Sequence, residues 1–179
     1  MGIWKIDDSI DTSLKNRVRE QIAVRFLLKE LLDGQETPIA HYADGAPYLP
    51  NRPEHISISH TKGYAAVLLS ETTHPGIDIE YASDRIHRIA PRFLSEKELT
   101  QIGTPPSTAQ LQLYWTAKET LFKMIREEGI DFRAQFYIHP VANMPKGKLQ
   151  ADYINTIDEK AVFELSYEIT PEFVLCFGW

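Results

Sequence analysis

Four side chains in two short stretches have the types and the spacing to handle a phosphate ester. In Gly76-Ile77-Asp78-Ile79-Glu80 the acids alternate with isoleucines, so a strand here turns Asp78 and Glu80 to one face and both isoleucines to the other. In Trp115-Thr116-Ala117-Lys118-Glu119-Thr120-Leu121-Phe122-Lys123, a helix at about 100° per residue stacks Glu119 and Lys123 one turn apart on one face. If that helix lies against the end of the strand, three carboxylates and one ammonium converge. Hard carboxylate oxygens suit Mg²⁺, which keeps several waters and completes its shell with substrate phosphates. The lysine would hold a phosphate. Taken singly, each feature has a plain structural alternative: surface acids on a strand, and a helix i,i+4 ion pair of ~0.5 kcal/mol. Their joint occurrence, in this order, favours the site.

The rest of the chain must position these stretches. Its 179 residues, 43% hydrophobic and 25% charged, make one globular domain or two small halves. A formal charge of −6 argues against nucleic acid as a partner, because that affinity needs a basic surface. Cys176 is the one cysteine, which allows neither an intrachain disulfide nor a thiolate zinc site. No N-terminal apolar h-region and no apolar run of ~20 residues is present. The expectation is a soluble, cytoplasmic protein with no membrane partner.

In chain order, residues 3–6 alternate as a first strand. Asp7, Asp8, Ser9, Asp11 and Thr12 read as a polar loop with helix-cap candidates. Apolar residues at helical spacing predict a helix from Leu14 to Leu32, stopped by Gly34. Its other face carries Lys15, Arg17, Arg19, Arg25 and Lys29, either a solvated surface or a phosphate-binding face. Short extended pieces follow, with a turn at Asp44-Gly45. Ile56 to His60 and Tyr64 to Leu69 then form a hairpin across Lys62-Gly63. Ser57 and Ser59 share one face of its first strand, and His60 at the bend is a phosphate ligand or simply a turn residue. Thr72 to Pro75 marks a boundary, giving halves of residues 1–74 and 75–179.

Beyond Glu80 the segment from Asp84 to Leu94 is basic and amphipathic, and Ser95 with Glu98 has capping-box spacing. The helix carrying Glu119 is expected from Ser107 or Thr108 to Glu128, closed by Gly129. Phe132 to Ile138, Gly147 to Tyr153, Ala161 to Ile169 and Phe173 to Phe177 read as short strands. Each half therefore reads as a long helix followed by short strands, a weak internal symmetry with no residue-level repeat. Were it real, the acidic strand and helix would lie where the halves meet, a common place for a ligand.

Gly-Ile-Asp-Ile-Glu (76–80), Arg-Phe-Leu-Ser-Glu-Lys-Glu-Leu (92–99) and Trp-Thr-Ala-Lys-Glu-Thr-Leu-Phe-Lys (115–123), preceded by Gly-Ala-Pro-Tyr-Leu-Pro (45–50) and Ile-Ser-Ile-Ser-His (56–60), resemble the Sfp-type 4′-phosphopantetheinyl transferases of the holo-acyl-carrier-protein synthase superfamily. The blocks fall in family order from about Leu14 to the C-terminus. The resemblance implies an α+β pseudo-dimer of two similar halves, each a long helix packed on a small, mostly antiparallel sheet, with the active site between them. It implies a Mg²⁺-dependent transfer of the phosphopantetheine arm of coenzyme A to a serine of an acyl or peptidyl carrier protein, releasing adenosine 3′,5′-bisphosphate. Asp78, Glu80 and Glu119 would be the metal ligands, and Lys123 would contact the pyrophosphate. His60, with Ser59 beside it, would meet the coenzyme phosphates, the 3′-phosphate foremost.

Two departures stand out. Where the family has Gly-Lys-Pro with a coenzyme-contacting lysine, this chain has Gly45-Ala46-Pro47, so Lys62 or Arg17 would have to substitute. Larger relatives carry basic residues that grip the coenzyme ahead of the first helix, so Lys15, Arg17 and Arg19 would be candidates for that duty here rather than matched positions. In the implied chemistry Lys123 and the metal stabilise charge growing on the phosphates. Glu119 takes the serine proton, directly or through a water on the metal. Arg85, Arg88, Arg92 and Phe93 are candidates to receive the acidic, helical carrier. The competing reading is a catalytically inactive relative that binds coenzyme A or the carrier. A monomer is expected, since one chain supplies both halves. Fatty acid, polyketide and peptide synthesis are equally compatible pathways.

Overall fold

The structure is a computed structural model describing residues 1–7, 9–142 and 144–179, so Asp8 of the N-terminal polar loop lies outside the described residues. That loop does not cap the first helix. Asp7 accepts from the Ser9 amide and Asp11 from the Ser13 amide, which spends both carboxylates on local turns.

β1 (Gly2–Lys5) leads into α1 (Asn16–Leu31), whose buried Ala23, Val24, Leu27 and Leu28 recur on one face. Leu28 is 1% exposed, and burying such a side chain is worth roughly 2 kcal/mol. Gly34, at φ +84°, returns its amide to Lys29 O and ends the helix as expected. The two-residue strands β2 (Ala40–His41) and β3 (Pro47–Tyr48) pair with each other across the Asp44-Gly45 turn. β4 (His55–Thr61) and β5 (Tyr64–Ser70) form the hairpin, and with β1 they make a three-stranded antiparallel sheet in the order β1-β5-β4.

β6 (Gly76–Tyr81) opens the second part of the chain. α2 (Arg85–Phe93) and α3 (Glu96–Ile102) follow, the latter with the full Ser95–Glu98 capping box. α4 (Thr108–Ile125) starts from a second box, Ser107 with Gln110, and ends earlier than Glu128, because Arg126 takes the left-handed conformation at φ 59°. The segment from Phe132 is not a strand at first. The Asp131 carboxylate accepts from the amides of Arg133 and Ala134 and winds one helical turn, α5 (Phe132–Gln135), before β7 (Phe136–Ile138). β8 (Lys146–Ile154), β9 (Lys160–Ile169) and β10 (Phe173–Gly178) complete a five-stranded antiparallel sheet, β6-β10-β9-β8-β7. Mixed helices and antiparallel sheets agree with an α+β class. The sheets are unequal, three strands against five.

Side-chain parity joins the two sheets. Along β5, Ala65 and Val67 face the α1 core, while Tyr64, Ala66 and Leu68 pack on Ile77 and Ile79 of β6 and Leu175 of β10. β5 is therefore buried on both faces, as its unbroken apolar sequence requires. Between β4 and β6 the seam is polar. The amides of Ile77, Ile79 and Tyr81 donate to the hydroxyls of Ser57, Ser59 and Thr61 at 3.0, 3.2 and 3.2 Å. Every second residue of β4 thus substitutes a side-chain oxygen for a ladder carbonyl, leaving no orphaned amide on β6 at those positions.

Candidate active site

Gly76 lets α4 and β6 approach closely. A Cβ there would collide with the Thr120 carbonyl oxygen and Met124 Cγ, so only glycine admits the helix at this distance. Lys123, one turn after Glu119 on α4, consequently reaches the strand. Its Nζ donates to Asp78 Oδ1 and to Ile77 O, each at 2.8 Å. Asp78 is 5% exposed, and its Oδ1 also accepts from Ser59 Oγ at 2.9 Å. Its Oδ2 is buried without a partner among the described residues.

Glu80 is held by Trp115 Nε1 at 3.2 Å. Burial, and then the charge of Asp78, push its carboxyl upward from the ordinary range. Glu119 is pushed up to about 7, by burial first and then by Asp78 and Glu80, with Lys123 opposing. The structure thus brings Asp78, Glu80, Glu119 and Lys123 into one electrostatic neighbourhood. Among the described residues no group of three His, Cys, Asp or Glu side chains is yet gathered as a metal would gather them. The reason is visible in the bonds above: Lys123 is the counterion of Asp78, and Trp115 holds Glu80. Hard carboxylate oxygens, one of them the unpartnered buried Oδ2 of Asp78, nonetheless fit a Mg²⁺ ion.

A cleft of about 620 Å³ runs from Glu119 and Lys123 past Phe122 and Arg126 to β3 and the start of β4. Arg126 was not anticipated from the sequence. It bonds Asp44 Oδ2 at 2.9 Å and stacks over Tyr42 at 4.5 Å, tying the β2–β3 turn to the end of α4. The available signal was its place seven residues after Glu119, at the end of the same helix. Ala46, in that turn, lines the cleft and offers no charge there.

The expected phosphate ligands fare differently. Ser59 faces Asp78, and His60, of opposite parity, points to α1 and pairs with Glu20 at 3.2 Å. Neither lines the cleft, and neither do Lys15, Arg17 or Lys62. Lys15 and Arg17 are exposed near the start of α1, and Arg19 donates to Asp7 O at 2.7 Å. Lys62 lies with Arg85 beside Tyr81, whose hydroxyl is held below its usual range chiefly by Ser83 and then by these cations. On α2, Arg85, Arg88 and Arg92 are exposed, but Phe93 is 1% exposed and packs inward. Phe93 is therefore no part of a docking surface.

Lys118 has no counterpart in the sequence reading. It is fully buried, and its Nζ donates to Glu98 Oε2 at 2.8 Å and to the carbonyls of Phe93, Phe132 and Phe136 at 2.7, 2.9 and 2.9 Å. Glu98 in turn accepts from the amides of Ser95 and Ile138. One ammonium thereby ties α2, α3, α5 and β7 to the helix that carries Glu119.

Acidic groups on a strand, an acid and an ammonium on the helix against it, and a cleft leading away from the helix make a candidate site for phosphate-ester chemistry. Residues 75–176, more than half of the chain, match the model of the 4′-phosphopantetheinyl transferase superfamily, and the chain belongs to that superfamily. No curated protein matches it significantly.

Proposed function

We propose that this protein moves the 4′-phosphopantetheine arm of coenzyme A to a serine of an acyl or peptidyl carrier protein, in the manner of the Sfp-type members. The observation that carries the reading is the meeting of Asp78, Glu80, Glu119 and Lys123 in one electrostatic neighbourhood, with Glu119 and Lys123 lining the cleft, within the region the family model matches. The cleft would take the coenzyme, and its two walls come from the parts of the chain before and after residue 75. The division into residues 1–74 and 75–179 as two related halves belongs to the same proposal. It draws support from a long helix packed on an antiparallel sheet in each part.

Asp78, Glu80 and Glu119 would hold Mg²⁺, which when bound supplies positive charge to the pyrophosphate oxygens. Lys123 sits at the lip of the cleft, where its ammonium can leave Asp78 for the phosphate that is to depart. The serine oxygen forms a bond to the β-phosphorus, the bond from that phosphorus to the bridging oxygen breaks, and adenosine 3′,5′-bisphosphate leaves. Glu119 would take the serine proton, directly or through a water on the metal. Arg85, Arg88 and Arg92 would receive the acidic carrier next to Glu80 and Trp115.

The test is the intact mass of a purified apo carrier protein after incubation with this protein, coenzyme A and Mg²⁺. A gain of ~340 Da, absent with EDTA and with Asp78→Ala, is expected. No gain with several acyl and peptidyl carriers, from a protein that still binds coenzyme A, would replace the reading with that of an inactive coenzyme-binding relative.

A further inference from the structure

Each hydroxyl of the seam between β4 and β6 takes one β6 amide, and the residue before that amide decides what the hydroxyl's own proton can meet. Ser57 takes the Ile77 amide, and the preceding residue is Gly76, which has no side chain. Ser59 takes the Ile79 amide at 3.2 Å and donates to Oδ1 of the preceding Asp78 at 2.9 Å. Thr61 takes the Tyr81 amide, and the preceding residue is Glu80. Burial and then Asp78 raise the Glu80 carboxyl, opposed in turn by Trp115, Lys123 and this Thr61 hydroxyl. A hydroxyl has one proton to give and an ionised carboxylate has none, so the direction of the bond from Ser59 to Asp78 is fixed.

Asp78 Oδ1 also accepts from Lys123, which leaves Oδ2 buried without a partner among the described residues. The two donors on Oδ1 differ in how firmly they hold it. Lys123 Nζ ends a flexible four-carbon stem, and the proposed chemistry moves it to a phosphate. Ser59 is 8% exposed, sits on a strand paired with β5, and has one side-chain torsion confined to staggered wells. It does not line the cleft. Once the ammonium leaves, the Ser59 hydroxyl is the bond that still orients the Asp78 carboxylate. Bonds of this kind behind a metal-ligating carboxylate typically carry about 10- to 100-fold in metal affinity.

We infer that Ser59 is a positioning residue, whose hydroxyl holds Asp78 through Oδ1 and keeps Oδ2 free for the Mg²⁺ that Asp78, Glu80 and Glu119 would hold. The inference rests on the reading of Asp78 as a metal ligand. It gives Ser59 a duty toward the metal in place of the phosphate contact that the family resemblance implies.

Titration of the intact protein with Mn²⁺ alone, followed by electron paramagnetic resonance of the free ion, tests it, since Mn²⁺ takes the same carboxylate and water ligands as Mg²⁺. Ser59→Ala should raise the Mn²⁺ dissociation constant about 10- to 100-fold, and Ser59→Thr, which keeps the proton donor, should restore it. Ser57→Ala loses the same kind of seam bond but no carboxylate contact. It should therefore shift the urea midpoint as Ser59→Ala does and leave the dissociation constant unchanged. Should Ser59→Ala unfold, Ser59→Cys, with its weaker donor, should show the same loss at smaller size. Equal affinity in Ser59→Ala and the unmodified protein, or a parallel fall in Ser57→Ala, overturns the inference, while loss of Mn²⁺ from Asp78→Asn keeps the metal reading. An unmodified protein that binds Mn²⁺ no better than Asp78→Asn overturns the metal reading and the inference with it.

Discussion

Lys123 Nζ lies 2.8 Å from Asp78 Oδ1 and 2.8 Å from Ile77 O, so the helix and the strand of the site are joined through the ammonium that the proposed chemistry uses. Removing either partner leaves the other charge poorly compensated in a largely buried place. Asp78→Asn should lower kcat/KM for carrier modification by at least ~10³, and Lys123→Ala by ~10² or more, because one loss reaches the metal and the other a single stabilising charge. Asp78→Asn should keep the far-ultraviolet dichroism of the unmodified protein. Retention of more than a tenth of activity by it would remove Asp78 from the site.

Glu80 and Trp115 offer a direct view of metal binding. If Mg²⁺ draws Glu80 toward Asp78 and Glu119, the Trp115 indole loses its acceptor, and its emission should shift. The chain has three tryptophans, so the change should vanish in Trp115→Phe and in Glu80→Gln while the other two keep emitting. A Mg²⁺-induced shift that persists in Trp115→Phe would contradict this arrangement.

The Lys118–Glu98 pair is structural, at 2.8 Å with both side chains fully buried. Lys118→Met should cost about 3–5 kcal/mol in urea unfolding, because it strands a buried carboxylate and three carbonyls. Replacing Glu98 as well should not restore stability, since the amides of Ser95 and Ile138 then lose their acceptor. Activity should fall only through the fraction unfolded, so kcat per folded molecule is the decisive measurement.

On the five-stranded sheet, Asp152 faces His139 Nε2 at 3.0 Å and Lys160 Nζ at 2.7 Å. Burial works to raise its carboxyl, but the bonds and charges of Lys160 and His139 outweigh it and hold it below 3.8. A carboxyl lower in the folded than in the unfolded state stabilises above the unfolded value, and that contribution disappears as pH falls through the folded one. Asp152→Asn should therefore lose about 1 kcal/mol at pH 7, a figure reduced for the half-exposed lysine. The difference from the unmodified protein should shrink toward zero near pH 2. Thermal unfolding at both pH values decides it; a pH-independent difference would assign the effect to packing instead.

Much of the fold was written locally. The period of α1, the capping box of Ser95 and Glu98, the turn at Lys62-Gly63 and the apolar run of β5 each follow from residues within a few positions of one another, and all form as read. The misreadings have local causes too. Asp131 caps a single helical turn where β-forming Phe132 pointed to a strand, and Arg126 ends α4 in a conformation that the sequence assigned to Gly129.

The sequence by itself determined which residues carry the charge: alternation placed Asp78 and Glu80 together, and helical spacing placed Glu119 over Lys123. Tertiary structure alone decided what these charges meet. Gly76 admits α4 close enough for Lys123 to reach Asp78, the Ser57, Ser59 and Thr61 hydroxyls pair β4 with β6, and Lys118 gathers carbonyls from three separate segments. It also turned His60 to Glu20 and Ser59 to Asp78. Parity can say that two residues lie on opposite faces of β4, but only the packed neighbours say which face meets the acids. Those neighbours come from chain segments distant in sequence, so no local pattern encodes the choice.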